Sequence, residues 1–163
     1  MSKKKLLYYF IAIIFLIAID QGSKSFLIIY LKTQPNYALE LLPILDFVYA
    51  WNYGISFGLF REYHQYSNIA FFILNSIIII YLCCLILKTQ ACLAQLGLIL
   101  IIGGALGNLI DRIIRGAVFD FIYIYYQDLA FPAFNMADSF ITVGACFFIY
   151  DYLFCSKNNT KMT

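Results

Sequence analysis

The stretch FPAFNMADSFITVGACFFIYDYLFC, residues 131–155, decides how this chain folds. From Ala137 onward it stays apolar for about the 20 residues that a helix needs to cross a bilayer. Asn135 and Asp138 stand at its mouth. A side-chain acceptor at the N-cap with an acidic residue three positions on forms a capping box, and the acid suits the positive end of the helix dipole. The pattern predicts a helix from 137 and leaves open whether these polar residues do more than cap it.

Three further apolar runs lie upstream, at about 6–28, 68–87 and 92–110, each near the length of a span. The 163 residues are 63% hydrophobic and 12% charged, with a mean hydropathy of +0.82. A soluble domain has about a quarter of its residues charged. Composition therefore predicts an integral membrane protein: one domain over residues 1–163, with four spans and two non-membrane segments, 29–67 and 111–136. No internal repeat is evident. The start, MSKKKLLYYFIAIIFLIAIDQ, has the basic and apolar regions of a signal peptide but no small-residue cleavage site, so it reads as a retained first helix. Lys3, Lys4, Lys5, Lys88, Lys157 and Lys161 fall at one end of a four-span topology, which the positive-inside bias assigns to the cytoplasm. Lys32, Arg61, Arg112 and Arg115 then lie outside, where they need acidic partners or lipid headgroups. Cys83, Cys84, Cys92, Cys146 and Cys155 show no metal or disulfide pattern and read as apolar packing residues.

Polar residues interrupt the spans at one end. Asp20 and Lys24 share a helix face at i, i+4, as a structural ion pair or as part of a site. Asn108 can share a face with both Asp111 and Arg112, while Gly103, Gly104 and Gly107 permit close helix packing. Residues 44–60, ILDFVYAWNYGISFGLF, are aromatic but broken by glycines. They predict a short bent sheet at headgroup level, and residues 118–128 look similar. An interfacial loop without chemistry is the plain alternative.

The inventory limits the chemistry. His64 is the one histidine, placed in a loop, so no HExxH zinc motif exists and a Ser–His–Asp triad would depend on it. Ser23 and Lys24 diverge on a helix. No phosphate loop is present. Carboxylates remain. Two that share a proton can activate a water and polarise a peptide carbonyl, without metal or cofactor. On the residues alone Asp20, Asp111, Asp120 and Asp138 all qualify. A small transporter or channel subunit is the alternative, its intramembrane charges forming an ion path.

Four blocks then occur in order: DQGSK (20–24), NYGISFG (52–58), GGALGNLIDR (103–112) with GAVFDFI (116–122), and FPAFNMADSFITVGA (131–145). Together they resemble the lipoprotein signal peptidase family, signal peptidase II, membrane aspartyl proteases that process bacterial prolipoproteins. The resemblance implies an all-α membrane protein, with a small β-sheet cradle and a short amphipathic helix on the outer, periplasmic side. It implies removal of the signal peptide from diacylglyceryl-modified prolipoproteins, just before the lipidated cysteine. By position, it makes Asp120 and Asp138 catalytic. Asn52, Gly54, Asn108, Arg112 and Asn135 become substrate-binding or site-lining residues, and Asp20, Lys24 and Asp111 structural support. Expected partners are prolipoprotein substrates and membrane lipids, with no nucleic acid, for a monomer in the bacterial inner membrane whose termini are cytoplasmic. Ile55 with Ser56, and the tyrosine-rich 122–130 segment, depart from the family pattern.

Overall fold

The computed structural model describes residues 2–54 and 64–155, with 64–67 as backbone. Ile55, Ser56, Gly58, Arg61, Lys157 and Lys161 lie outside the described residues. Helix α1 spans Lys3–Leu31, α2 His64–Lys88, α3 Cys92–Arg115 and α4 Met136–Tyr150, followed by one π turn over Asp151–Cys155. Strands β1 (Ala38–Leu42), β2 (Leu45–Asn52), β3 (Val118–Tyr126) and β4 (Leu129–Ala130) form one antiparallel sheet in the order β1-β2-β3-β4. The protein is thus a four-helix assembly that also carries a four-stranded sheet, more than an all-α description conveys.

Each expected span is found, and most run longer for local reasons. Ser2 accepts a hydrogen bond from the Lys5 backbone N–H, which draws the three lysines into α1. At its other end Leu27 and Leu31 are buried with Phe119 and Phe121 under the sheet, so the helix continues to them. Helix α3 continues past Asp111 because Arg115, one turn on, pairs with it. Gly116 then ends it at φ 75°, the left-handed conformation glycine adopts freely. Helix α2 begins at His64, so that residue opens a helix instead of sitting in a loop. The described residues between α1 and α2 and between α3 and α4 hold one short 3₁₀ turn, Pro35–Tyr37, and no amphipathic helix; residues 55–63 lie outside the description.

Helix α3 is the centre, with α1, α2 and α4 packed around it, while α2 and α4 do not pack along each other. Its glycines set the spacing. A Cβ on Gly103 would strike Leu16 of α1, one on Gly104 the Ala137 carbonyl of α4, and one on Gly107 the Asp20 carboxylate. Gly97 and Gly144 face each other so closely that a Cβ on either would lie 2.6 Å from the other's carbonyl oxygen. Lipid-like faces point outward: Leu7, Phe10, Ile14 and Phe15 on α1, and Ile73, Ile77 and Ile80 on α2, are all exposed. All four helices are long and apolar enough to cross a membrane, as in a multi-pass membrane protein. The five cysteines are exposed as well, not packed as expected; an apolar thiol on a lipid-facing helix surface gains nothing from burial.

The two non-membrane segments meet in the sheet. Strand β2 pairs with β3 in a register that sets Ala50 opposite Asp120 and Asn52 opposite Val118. Phe134 then runs beside β3, its carbonyl accepting hydrogen bonds from the Phe121 and Ile122 N–H groups at 3.0 and 2.8 Å. That bridge delivers the next residue, Asn135, to Asp120.

Candidate active site

Asp138 sits in the first turn of α4 because the capping box holds it there. Its backbone N–H donates to Asn135 Oδ1 at 3.0 Å, and the Asn135 N–H donates to Asp138 Oδ2 at 3.1 Å. Asp120 arrives from β3, only 3% exposed. Two asparagines connect the carboxylates. Asn135 Nδ2 donates to Asp120 Oδ1 at 2.6 Å and to Asn108 Oδ1 at 3.2 Å. Asn108 Nδ2 donates to Asp138 Oδ1 at 2.8 Å. Lys24 fixes which way Asn108 faces: its ammonium can only donate, and it reaches Asn108 Oδ1 at 3.1 Å, so the amide NH₂ must turn to Asp138.

Lys24 is fully buried and has three acceptors for its three N–H groups: Asn108, Asp20 and Asp111, the last two at 2.9 Å. Each aspartate passes the support on. Asp20 Oδ1 accepts the Ala137 N–H of α4 at 3.0 Å, and Asp111 Oδ2 accepts the Phe119 N–H of β3 at 3.1 Å. The backbone one residue before each candidate aspartate is therefore pinned to the Lys24 cluster. The expected i, i+4 pair is present, within a larger network.

On the far side, Arg112 donates to Asn68 Oδ1 at 3.2 Å and lies 5.1 Å from the centre of the Phe71 ring. Among the described residues its Nε is buried without a hydrogen-bond partner. Asn52, exposed at the end of β2, hydrogen-bonds to Asp120 and accepts the Gly54 N–H at 2.8 Å. Gly54 has φ 95°, and a Cβ there would run into Phe71. Burial pushes the Asp120 carboxyl up to about 6, with the negative charge of Asp138 adding to it and the Asn52 and Asn135 hydrogen bonds opposing it.

All ten expected site residues thus gather at one end of the bundle. Sequence reasoning passed over Gln21 and Asn68, while Arg115, expected to need an acidic partner or a lipid headgroup, finds an acid in Asp111. Gln21 Nε2 donates to Asp20 at 3.0 Å and Asp111 at 3.1 Å. Arg115 pairs with Asp111 and reaches Ser25 at 3.1 Å. The i, i+4 spacing of Asp111 and Arg115 was the available signal. Lys32, another of the cations at this end, lies 5.8 Å from the centre of the Tyr49 ring. No signal singled out Asn68, which lies at the end of α2 nearest the site.

The buried polar residues among those described form two groups at opposite ends. Asp20, Lys24, Asn108, Asp111, Asp120 and Asn135 lie at one, and Gln95 and Asp151 at the other. Between them lie Leu98, Ile99, Ile102 and Ala105, so an ion path along the bundle is not favoured.

Four apolar helices with a carboxylate-rich site at one end define a multi-pass membrane enzyme. The family model for signal peptidase (SPase) II matches residues 12–154. The lipoprotein signal peptidase of Rickettsia bellii is 51% identical over 146 residues, covering 90% of this chain and 74% of that protein. That of Rickettsia canadensis is 51% identical over 145 residues, 89% of this chain and 74% of its own length. A bacterial membrane enzyme solved by the in meso method at 2.3 Å superposes with a TM-score of 0.77 at 30% identity, covering 93% of this chain and 90% of its own. The chain belongs to the signal peptidase II family and is a protease.

Proposed function

We propose that this protein removes the signal peptide from diacylglyceryl-modified prolipoproteins, cutting just before the lipidated cysteine, with Asp120 and Asp138 as the catalytic pair. The observation that carries the reading is the bridge between them. Two carboxylates from distant elements are joined by Asn135 and Asn108 at 2.6–3.2 Å. Both oxygens of Asp138 already accept N–H groups, so Asp138 is the ionised partner that takes a proton from the attacking water. Asp120 holds the proton that polarises the scissile carbonyl and later passes to the leaving amine. The unpartnered Nε of Arg112 and the exposed amide of Asn52 satisfy substrate backbone carbonyls in a dry site. Gly54 keeps that wall thin. Asp20, Lys24 and Asp111 support the pair.

The substrate helix lies in the opening between α2 and α4, floored by α3, with its diacylglyceryl chains in surrounding lipid. The chain works as a single monomeric domain of the bacterial cytoplasmic membrane, termini inside and sheet outside, consistent with the lysine distribution.

The test is cleavage of a purified diacylglyceryl-prolipoprotein in detergent, with Asp120→Asn and Asp138→Asn beside the wild type and a chelator control. The expected result is chelator-resistant cleavage by the wild type and a loss of about 10²–10⁴-fold in each folded variant. Near-normal turnover by either variant removes that aspartate from the pair. No cleavage by the wild type overturns the substrate.

A further inference from the structure

A cavity of about 530 Å³ opens at the end of the bundle away from the aspartate pair, lined among others by Thr89, Gln90, Ala94, Phe148, Asp151 and Cys155. Asp151 is the acidic residue in its wall and is only 6% exposed. Among the described residues no ion pair or side-chain hydrogen bond reaches its carboxylate. As part of the cavity wall, its carboxylate is placed to meet a cation that enters the cavity. The wall is formed by the turn between α2 and α3 and by the last turns of α4, the same two helices that flank the opening above α3.

Resting on the cleavage reaction proposed above, we infer that this cavity is a second substrate subsite, which takes a lysine or arginine from the basic n-region of the signal peptide. Length supports it. Asp151 lies about 20 Å along α4 from Asp138, at about 1.5 Å per residue. A signal peptide has a basic n-region followed by an apolar stretch of about 7–15 residues, which as a helix covers about 10–22 Å. A substrate lying beside α4 with its scissile bond at Asp138 brings its basic end to Asp151. The subsite would select by charge at one end of the groove what is cut at the other.

The experiment uses full-length protein in nanodiscs and two synthetic diacylglyceryl-prolipoprotein peptides, one with a Lys-Lys n-region and one with Gln-Gln. Wild type is expected to show a KM about tenfold lower for the lysine peptide at equal kcat, the size of a partly desolvated ion pair. Asp151→Asn should raise that KM to the level of the glutamine peptide, leave the glutamine peptide unchanged, and unfold at the same temperature as wild type. Asp151→Glu should keep most of the preference. Equal KM values in the wild type, or a loss in Asp151→Asn that is the same for both peptides, overturns the subsite while leaving the cleavage reaction intact. An Asp151 effect that follows phosphatidylethanolamine content instead of the n-region makes the cavity a lipid-ammonium site and also overturns it. Cleavage of neither peptide by wild type overturns the reaction itself.

Discussion

Asp120, the proposed catalytic acid, shows what such a group asks of its surroundings. Burial, and then the charge of Asp138, raise its carboxyl to about 6, so it keeps a proton at pH values where an exposed aspartate has lost one. Activity that needs this proton falls as pH rises through that value: kcat/KM, which reports the free enzyme, should drop about tenfold per unit on the alkaline limb. Asn52 donates to the ionised form and holds the value down. Asn52→Ala should therefore move the limb to higher pH, and an unmoved limb in a pH–rate profile would place the proton elsewhere. Stability carries the same sign. A carboxyl raised by folding contributes stability that is full below its unfolded value, near 3.8, and lost as pH rises through about 6. Asp120→Asn escapes that loss. Its melting temperature should exceed that of wild type at pH 8, with the gap closing toward pH 4, whereas a purely structural aspartate would give a less stable variant at every pH.

At the scale of elements, glycines decide how near α4 comes to α3. Gly104→Ala puts a methyl against the Ala137 carbonyl, a backbone atom that can yield only by moving α4 and Asp138 with it. Overpacking of this kind costs about 1–3 kcal/mol, and a displacement of about 1 Å at a reacting group costs about a hundredfold in rate. The variant should melt earlier and cleave at least tenfold more slowly in the same peptide assay. Gly22→Ala, which meets nothing within 4 Å, should change neither. These glycines were legible in GGALGNLIDR, as were the four spans, the Asp20–Lys24 pair and the Asn135–Asp138 box, because helix periodicity and capping are local. The pairing of Asp120 with Asp138 was not. It depends on the β2–β3 register and on Phe134 lying against β3, contacts that no spacing encodes, and only the resemblance of four ordered blocks singled those two aspartates out. Asn68 was missed for the same reason: its partner Arg112 is 44 residues away.

Across the whole molecule, one buried cation ties three helices and the sheet together. Lys24→Met would leave Asp20 and Asp111 buried without it, a change that costs about 3–5 kcal/mol when a buried pair loses one partner. It would also free the Asn108 amide to turn. Size-exclusion and thermal unfolding in detergent should show a protein that melts well below wild type or fails to accumulate, and a variant as stable as wild type would mean that Gln21 and Arg115 carry the cluster alone. The same network has a consequence in time. The hydrogen bond from Ala137 to Asp20 spans 117 residues, so α1 waits for α4 to be made before the centre exists. A nascent chain with only part of its helices inserted cannot cut anything, and the membrane is never exposed to a half-made protease.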